Sequence, residues 1–165
     1  MNNLYKLVLA IALLLGLSNT IIAQKSGSAK YKCMVQMTNY PGEGAYIAVS
    51  IIDPKGEYDK TLYVMGSDKK WYPDLKEWHK FYKKKALNVS AISGASVSGG
   101  DRSVIVLDIE NAKINSGYVL RFESAVENQE YHITDLEVPL TSENVNGKIE
   151  GTHYIRYIRL SPNQP

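Results

Sequence analysis

The chain has 165 residues and a nearly balanced charge, with 19 Lys and Arg against 17 Asp and Glu and a formal net charge of +2. Its length suits one domain, and its charge gives no reason to expect nucleic acid or an anionic membrane as a partner. The single cysteine excludes an internal disulfide.

The first 23 residues have the layout of a secretory signal peptide. Lys6 precedes an apolar run from Leu7 to Leu17, and small and polar residues lead to Ala23. A transmembrane helix, the competing interpretation, needs about 18 to 20 apolar residues, and this run is shorter. We therefore predict a signal peptide over 1–23 and a single β-sandwich domain over 24–165. The expected location is periplasmic or secreted, of the bacterial type, with no membrane span after cleavage.

Seven stretches have the pattern of β-strands. The first, KYKCMVQMT, alternates and places Cys33 on its inward side, where a small buried hydrophobe is favoured over a reactive thiol. AYIAVSII is apolar on both faces, as expected for a central strand. Asn146 and Gly147 suit a tight hairpin turn. The candidate strands are 30–38, 45–52, 58–65, 103–109, 118–125, 131–138 and 153–160, and this spacing predicts an all-β, immunoglobulin-like antiparallel β-sandwich.

One short helix is predicted after residue 74. Apolar and aromatic residues recur there at the spacing i, i+3, i+4 and i+7, namely Leu75, Trp78, His79 and Tyr82. Asp74 and Glu77 have the spacing of a capping box, and Pro73 marks a boundary just before it. We expect the aromatic side of this helix to pack on a sheet edge or to cover an opening of the sandwich.

Patterns of catalysis and metal binding are weak in this sequence. Its three histidines, His79, His132 and His153, have neither HxH nor HxxxH spacing, so we predict no metal site. A nucleophile elbow fails because Ser98 stands where its second glycine is needed, which disfavours a hydrolase. The lysines of 80–85 suit either a phosphate contact or a solvated helix face, and the second is favoured. A non-catalytic protein is therefore favoured, although enzyme activity stays open.

The stretch SAISGASVSGG, residues 90–100, suits either a flexible connector or an attachment site for a cofactor. Part of it has the form [Ser/Thr]-Gly-Ala-[Ser/Thr]-x-[Ser/Thr], through Ser93, Gly94, Ala95, Ser96, Val97 and Ser98. It resembles the flavinylation motif read by periplasmic FAD:protein FMN transferases in FMN-binding subunits of sodium-pumping NADH:quinone oxidoreductases and Rnf complexes. In those proteins the second hydroxyl residue carries FMN through a phosphoester bond, which corresponds to Ser96 here.

This resemblance implies a covalent FMN on an exposed loop, with Gly94 and Ala95 keeping the backbone supple. The motif usually begins with an Asp, where this chain has Ser90. We expect the Ser96 hydroxyl to face solvent, with an aromatic ring or a lysine close enough to contact the flavin. The candidates for that neighbour are Trp71, Trp78 and the lysines of 83–85.

A second resemblance covers residues 46–131. TLYVM (61–65), the helix from Asp74 to Trp78, SAISGAS (90–96), Leu107-Asp108 and GYVLRFE (117–123) resemble the domain of unknown function 2271 family. Its members are predicted periplasmic proteins, often encoded near PepSY-type membrane redox proteins and flavin transferases. The strand-turn-strand segment that ends in Gly117-Tyr118 is also similar to the Ig-like domain of flagellar hook-capping proteins. This similarity concerns the fold and says little about activity.

Two functions follow as expectations. The first is an accessory protein of an extracytoplasmic flavin-linked redox system, an electron carrier with FMN on Ser96. An FAD:protein FMN transferase and a PepSY-type membrane redox protein would be its partners. The alternative is an Ig-like binding or assembly module with no cofactor, in which residues 90–100 only link the helix to the next strand.

Overall fold

A computed structural model describes residues 27–163, so the predicted signal peptide lies outside the described residues. That part of the chain forms one α-helix, α1 (Lys76–Lys84), and short 3-10 helices at Lys69–Asp74, Ser90–Ile92, Asn111–Lys113 and Asn144–Asn146. Its strands are β1 (Ser28–Met37), β2 (Tyr46–Ile52), β3 (Tyr58–Met65), β4 (Ser93–Gly94), β5 (Arg102–Glu110), β6 (Val119–Ala125), β7 (Tyr131–Pro139), β8 (Lys148–Glu150) and β9 (Ile155–Pro162).

Two sheets form the predicted sandwich. One has the order β5-β1-β9-β8 and the other the order β4-β3-β2-β6-β7. All pairs are antiparallel except β3 with β4, which pair in parallel at the edge of the second sheet. The all-β sandwich is therefore confirmed. The seven predicted strands are all present, and the additional β4 and β8 are only two and three residues long.

The core between the sheets is made by the inward residues of both. On β1 these are Cys33, Val35 and Met37, each at most 1% exposed, as the alternation predicts. Burial raises the pKa of the Cys33 thiol to about 12. Cys33 is therefore an inert core residue, since only the thiolate is a good nucleophile.

Helix α1 and the preceding 3-10 helix form a third layer on the outer face of the second sheet. Their buried side chains, with residues of β2, β3 and β6, make a second apolar cluster of Ala48, Val64, Tyr72, Leu75, Trp78, Val89 and Ala125. Strand β2 is consequently buried on both faces, which explains its continuous apolar sequence. The helix covers the face of the sheet, whereas the sequence predicted an edge or an opening.

The predicted capping box is wrong. Helix α1 begins at Lys76, and no side chain of the residues before it caps it, because Pro73 and Asp74 belong to the 3-10 helix. Two N–H groups of its first turn are satisfied by the sheet below. Trp78 N–H donates to Glu123 Oε2 at 3.1 Å, and Glu77 N–H donates to the Tyr131 hydroxyl at 3.2 Å.

The predicted hairpin turn at Asn146-Gly147 is also wrong. Asn146 ends a 3-10 helix, and Gly147 has an extended backbone with φ −129° before β8 begins. A tight turn of the expected type needs positive φ at its central residues. Among the described residues, no helix has the length and apolarity needed to cross a membrane.

Candidate functional site

Residues 90–100 run along the edge of the second sheet. Ser90–Ile92 form a 3-10 helix, Ser93–Gly94 form β4 beside Val64 and Met65, and Val97 makes an isolated bridge with Ala45. The segment joins α1 to β5 on the protein surface, where the sequence expected a loop, but it is hydrogen-bonded to the sheet at two points.

These two attachments leave a very short free stretch. Gly66 N–H donates to the Gly94 carbonyl at 2.7 Å, and Ala45 and Val97 exchange hydrogen bonds of 2.8 and 3.1 Å. The Tyr40 hydroxyl also joins the second attachment, since it donates to the Val97 carbonyl and accepts from Ala45 N–H. Only Ala95 and Ser96 lie between the two attachments.

Glycine at position 94 gives the Tyr63 side chain room beside β4. A Cβ there would lie 2.4 Å from the Tyr63 hydroxyl, so the tyrosine would have to shift. The expectation that Gly94 keeps the backbone supple is therefore wrong, because it lies in a paired strand against a tyrosine.

Ser96 is exposed and lines a surface cavity of about 140 Å³. The cavity is formed by residues from four separate parts of the chain, namely Glu43, Gly44, Tyr46, Trp71, Asp74, Ser96, Ala125 and Glu127. An adjoining cavity of about 300 Å³ shares Trp71, Asp74, Ala125 and Glu127 and extends to Gln129 and Tyr131. We call these two cavities together the Ser96 groove.

The other predicted site residues differ in position. Ala95 and Ser98 are exposed, whereas Ser93 and Gly94 are half-buried, and the Ser93 hydroxyl lies 3.4 Å from the Ser90 carbonyl as donor.

Of the proposed neighbours of Ser96, Trp71 is the one that lines its cavity. Trp71 is half-buried in the 3-10 helix, and the Lys70 ammonium lies 5.0 Å from its ring centroid. Trp78 is fully buried, and its indole N–H donates to Thr61 Oγ1 at 2.9 Å. The lysines of 83–85 are exposed at the end of α1, and two of them line a different cavity.

The acidic residues of the groove were missed by sequence reasoning. Glu43 lies in the turn before β2, Glu127 follows β6, and Asp74 was interpreted as a helix cap. Gly44 was missed as well, and a Cβ there would lie 2.6 Å from Ser96 Oγ. Glycine at position 44 therefore lets the Ser96 side chain lie directly against the main chain before β2.

Glu123 supports the groove from below. It is fully buried on β6 and accepts hydrogen bonds from the hydroxyls of Tyr58 and Tyr131, and from Trp78 N–H. Burial raises the pKa of Glu123, and these donors oppose the rise. Because Tyr131 and the start of α1 both border the groove, Glu123 fixes the helical layer that carries Trp71.

Comparison with known proteins gives one match. The model of a family described as predicted periplasmic protein, DUF2271, matches residues 28–157. No curated protein and no solved structure matches the chain.

Proposed function

The chain belongs to the DUF2271 family of predicted periplasmic proteins, and on this premise we propose that it is a non-catalytic electron carrier with FMN covalently attached to Ser96. The observation that carries the proposal is the position of Ser96, an exposed residue that lines the same cavity as the half-buried Trp71.

The residues present fit such a group. Ser96 is an exposed residue with a hydroxyl that can accept a phosphoryl group, and the neighbouring Gly44 has no side chain to cover it. Trp71 supplies an aromatic surface for a planar ring, and rings of this kind gain from stacking. The groove continues past Trp71 towards Tyr131, so a ring system larger than the first cavity has room to extend.

The attachment is a phosphoryl transfer from FAD. Ser96 Oγ attacks the phosphorus of the FMN half, the phosphoanhydride bond breaks, and AMP leaves with the bridging oxygen. The serine proton passes to a base of the transferase. An FAD:protein FMN transferase is therefore the first partner. A PepSY-type membrane redox protein is the second, as the electron donor or acceptor.

The charges of the groove favour a covalent link over reversible binding. Three carboxylates, Glu43, Asp74 and Glu127, line it against one cation, Lys76, and this negative balance repels the phosphate of free FMN. A tether replaces binding free energy that a free cofactor would need. The attached flavin supplies one- or two-electron transfer, while Trp71 and Tyr131 border the space for its ring.

Co-expression with a flavin transferase tests the proposal. Intact-mass measurement should show the addition of one FMN less one water, and Ser96→Ala should abolish it. Ser98→Ala is the matched control, because Ser98 is also exposed and lies two residues away. An unmodified wild-type mass, or equal loading of Ser96→Ala, would contradict the proposal and favour the binding or assembly module.

A steric variant tests the geometry separately. Gly44→Ala places a methyl group against Ser96 Oγ, so we expect lower FMN loading in a folded protein. Gly147→Ala is the control, since a Cβ there makes only ordinary contacts of 3.6 Å or more. Equal FMN loading of the two variants would show that the transferase does not need the space beside Gly44 to reach Ser96.

A further inference from the structure

Two histidines that are distant in sequence meet on the surface. His132 lies on β7 and His153 in the connection between β8 and β9. Their rings stack face to face, with centroids 3.7 Å apart and an angle of 2° between the planes. The sequence spacing argued against a metal site, and the fold brings the two imidazoles together regardless.

Buried groups hold this pair in place. Asp135 is fully buried and accepts hydrogen bonds from the main-chain N–H groups of His153, Tyr154 and Ile155, at 3.0 to 3.1 Å. The His153 carbonyl accepts from Thr38 Oγ1 at 3.1 Å. The main chain of His153 is thus fixed on both sides, and its exposed ring is not needed to hold the loop.

His132 is fixed by packing instead. Its ring lies 5.0 Å from that of Tyr154, whose hydroxyl donates to the Glu130 carbonyl at 2.9 Å. Contact with Tyr154 therefore sets the orientation of the His132 ring.

We propose that His132 and His153 form a surface site for one borderline transition-metal ion, with Cu(II) bound most tightly. Imidazole suits copper, nickel and zinc, and the affinity of such ligands for divalent ions peaks at Cu(II). No cluster of three or more His, Cys, Asp or Glu ligands exists within residues 27–163. The two imidazoles are therefore the protein ligands, and water completes the coordination.

Binding requires the rings to leave their parallel stack, because the in-plane lone pairs of parallel rings do not converge on one ion. Rotating the exposed His153 ring about its side-chain torsions, with His132 held by its packing, would bring one nitrogen of each ring to a shared ion. The His153 ring is exposed, which leaves space for that movement. The hydrogen bonds that hold its loop involve the main chain, so the movement does not break them.

Calorimetric titration of the full protein, purified without a polyhistidine tag, with Cu(II), Zn(II) and Mg(II) tests the site. We expect one Cu(II) per chain, weaker Zn(II) and no Mg(II) binding. His132→Ala and His153→Ala should each weaken Cu(II) binding by more than about tenfold, the loss that even outer-shell changes cause. His79→Ala is the matched control, because it removes the third histidine of the chain.

Wild-type protein supplies a second measurement that does not depend on a variant folding. Substoichiometric Cu(II) should broaden the ring proton resonances of His132 and His153 in NMR spectra and leave those of His79 sharp. Equal broadening of all three, or Cu(II) affinity unchanged in the two variants, would overturn the proposal.

Discussion

Two buried carboxylates on neighbouring strands, Glu123 on β6 and Asp135 on β7, are satisfied by different donors. Glu123 binds two tyrosine hydroxyls and one N–H group, from β3, β7 and α1. Asp135 binds three consecutive N–H groups, two in the connection before β9 and one at the first residue of β9, together with the Ser124 hydroxyl. Glu123 therefore joins separate layers of the fold, whereas Asp135 fixes the shape of one loop.

The difference separates the two candidate sites. The layer fixed by Glu123 carries Trp71 and borders the Ser96 groove. The loop fixed by Asp135 carries His153. Each carboxylate thus supports one site, and changes at one should leave the other largely intact.

The largest effect is expected for Asp135→Ala. The substitution removes a buried acceptor from three main-chain N–H groups, so we expect a loss of about 4 kcal/mol in the free energy of unfolding. Chemical denaturation measures it. Asp108→Ala, at an exposed position of β5, is the control. A loss no larger than that of the control would show that water replaces Asp135 in the loop.

Glu123→Gln should cost less, about 2 kcal/mol, because the amide keeps the shape but replaces one of the two accepting oxygens with an NH2 group, which faces other donors. Burial raises the pKa of Glu123 in the folded state. Its contribution to stability is therefore greatest at low pH and decreases as pH rises through the folded pKa.

Denaturation at several pH values should accordingly show that the stability difference between wild type and Glu123→Gln shrinks as pH rises. Glu150→Gln, at an exposed site, is the control. A difference that grows with pH would mean that Glu123 is stabilised in its charged form.

Tyr131→Phe tests the shared donor of the Glu123 network. It removes one hydrogen bond to Glu123 and the acceptor of Glu77 N–H, so we expect a loss of about 1 kcal/mol. Copper binding at the histidine pair should stay the same. A weakened copper affinity would contradict the separation of the two regions.

The smallest effect on stability is expected for Ser90→Asp. Ser90 is exposed, so the free energy of unfolding should change by less than about 0.5 kcal/mol. FMN loading in co-expression should increase, because the variant restores the Asp with which the flavinylation motif begins. Ser90→Asn, which lacks the charge, is the control, and equal loading of both would argue against recognition of this residue.

The strands and the helix could be predicted because their side chains have a period. Alternation on β1 and the apolar β2 gave the sandwich, and Trp78 at helical spacing gave α1. Strands β4 and β8 could not be predicted, since two or three residues show no period.

The sites depend on contacts between distant residues, which local patterns do not contain. The serines of 93–98 were identified from a motif, but Glu43, Gly44 and Glu127 meet Ser96 only after folding. Asp74 was misinterpreted because Glu123 and Tyr131, from other strands, satisfy the helix start. His132 and His153 likewise share no spacing that indicates a pair.

For the electron transfer proposed above, the two hydrogen-bonded attachments at Gly94 and Val97 would have a further consequence. A cofactor on a long flexible segment works as a swinging arm that travels between its donor and its acceptor. A group on Ser96 has only one neighbouring residue, Ala95, outside the paired backbone, so its range of movement is small. Donor and acceptor must then approach the groove themselves, one after the other, and the shape of its rim decides which proteins come close enough to exchange an electron.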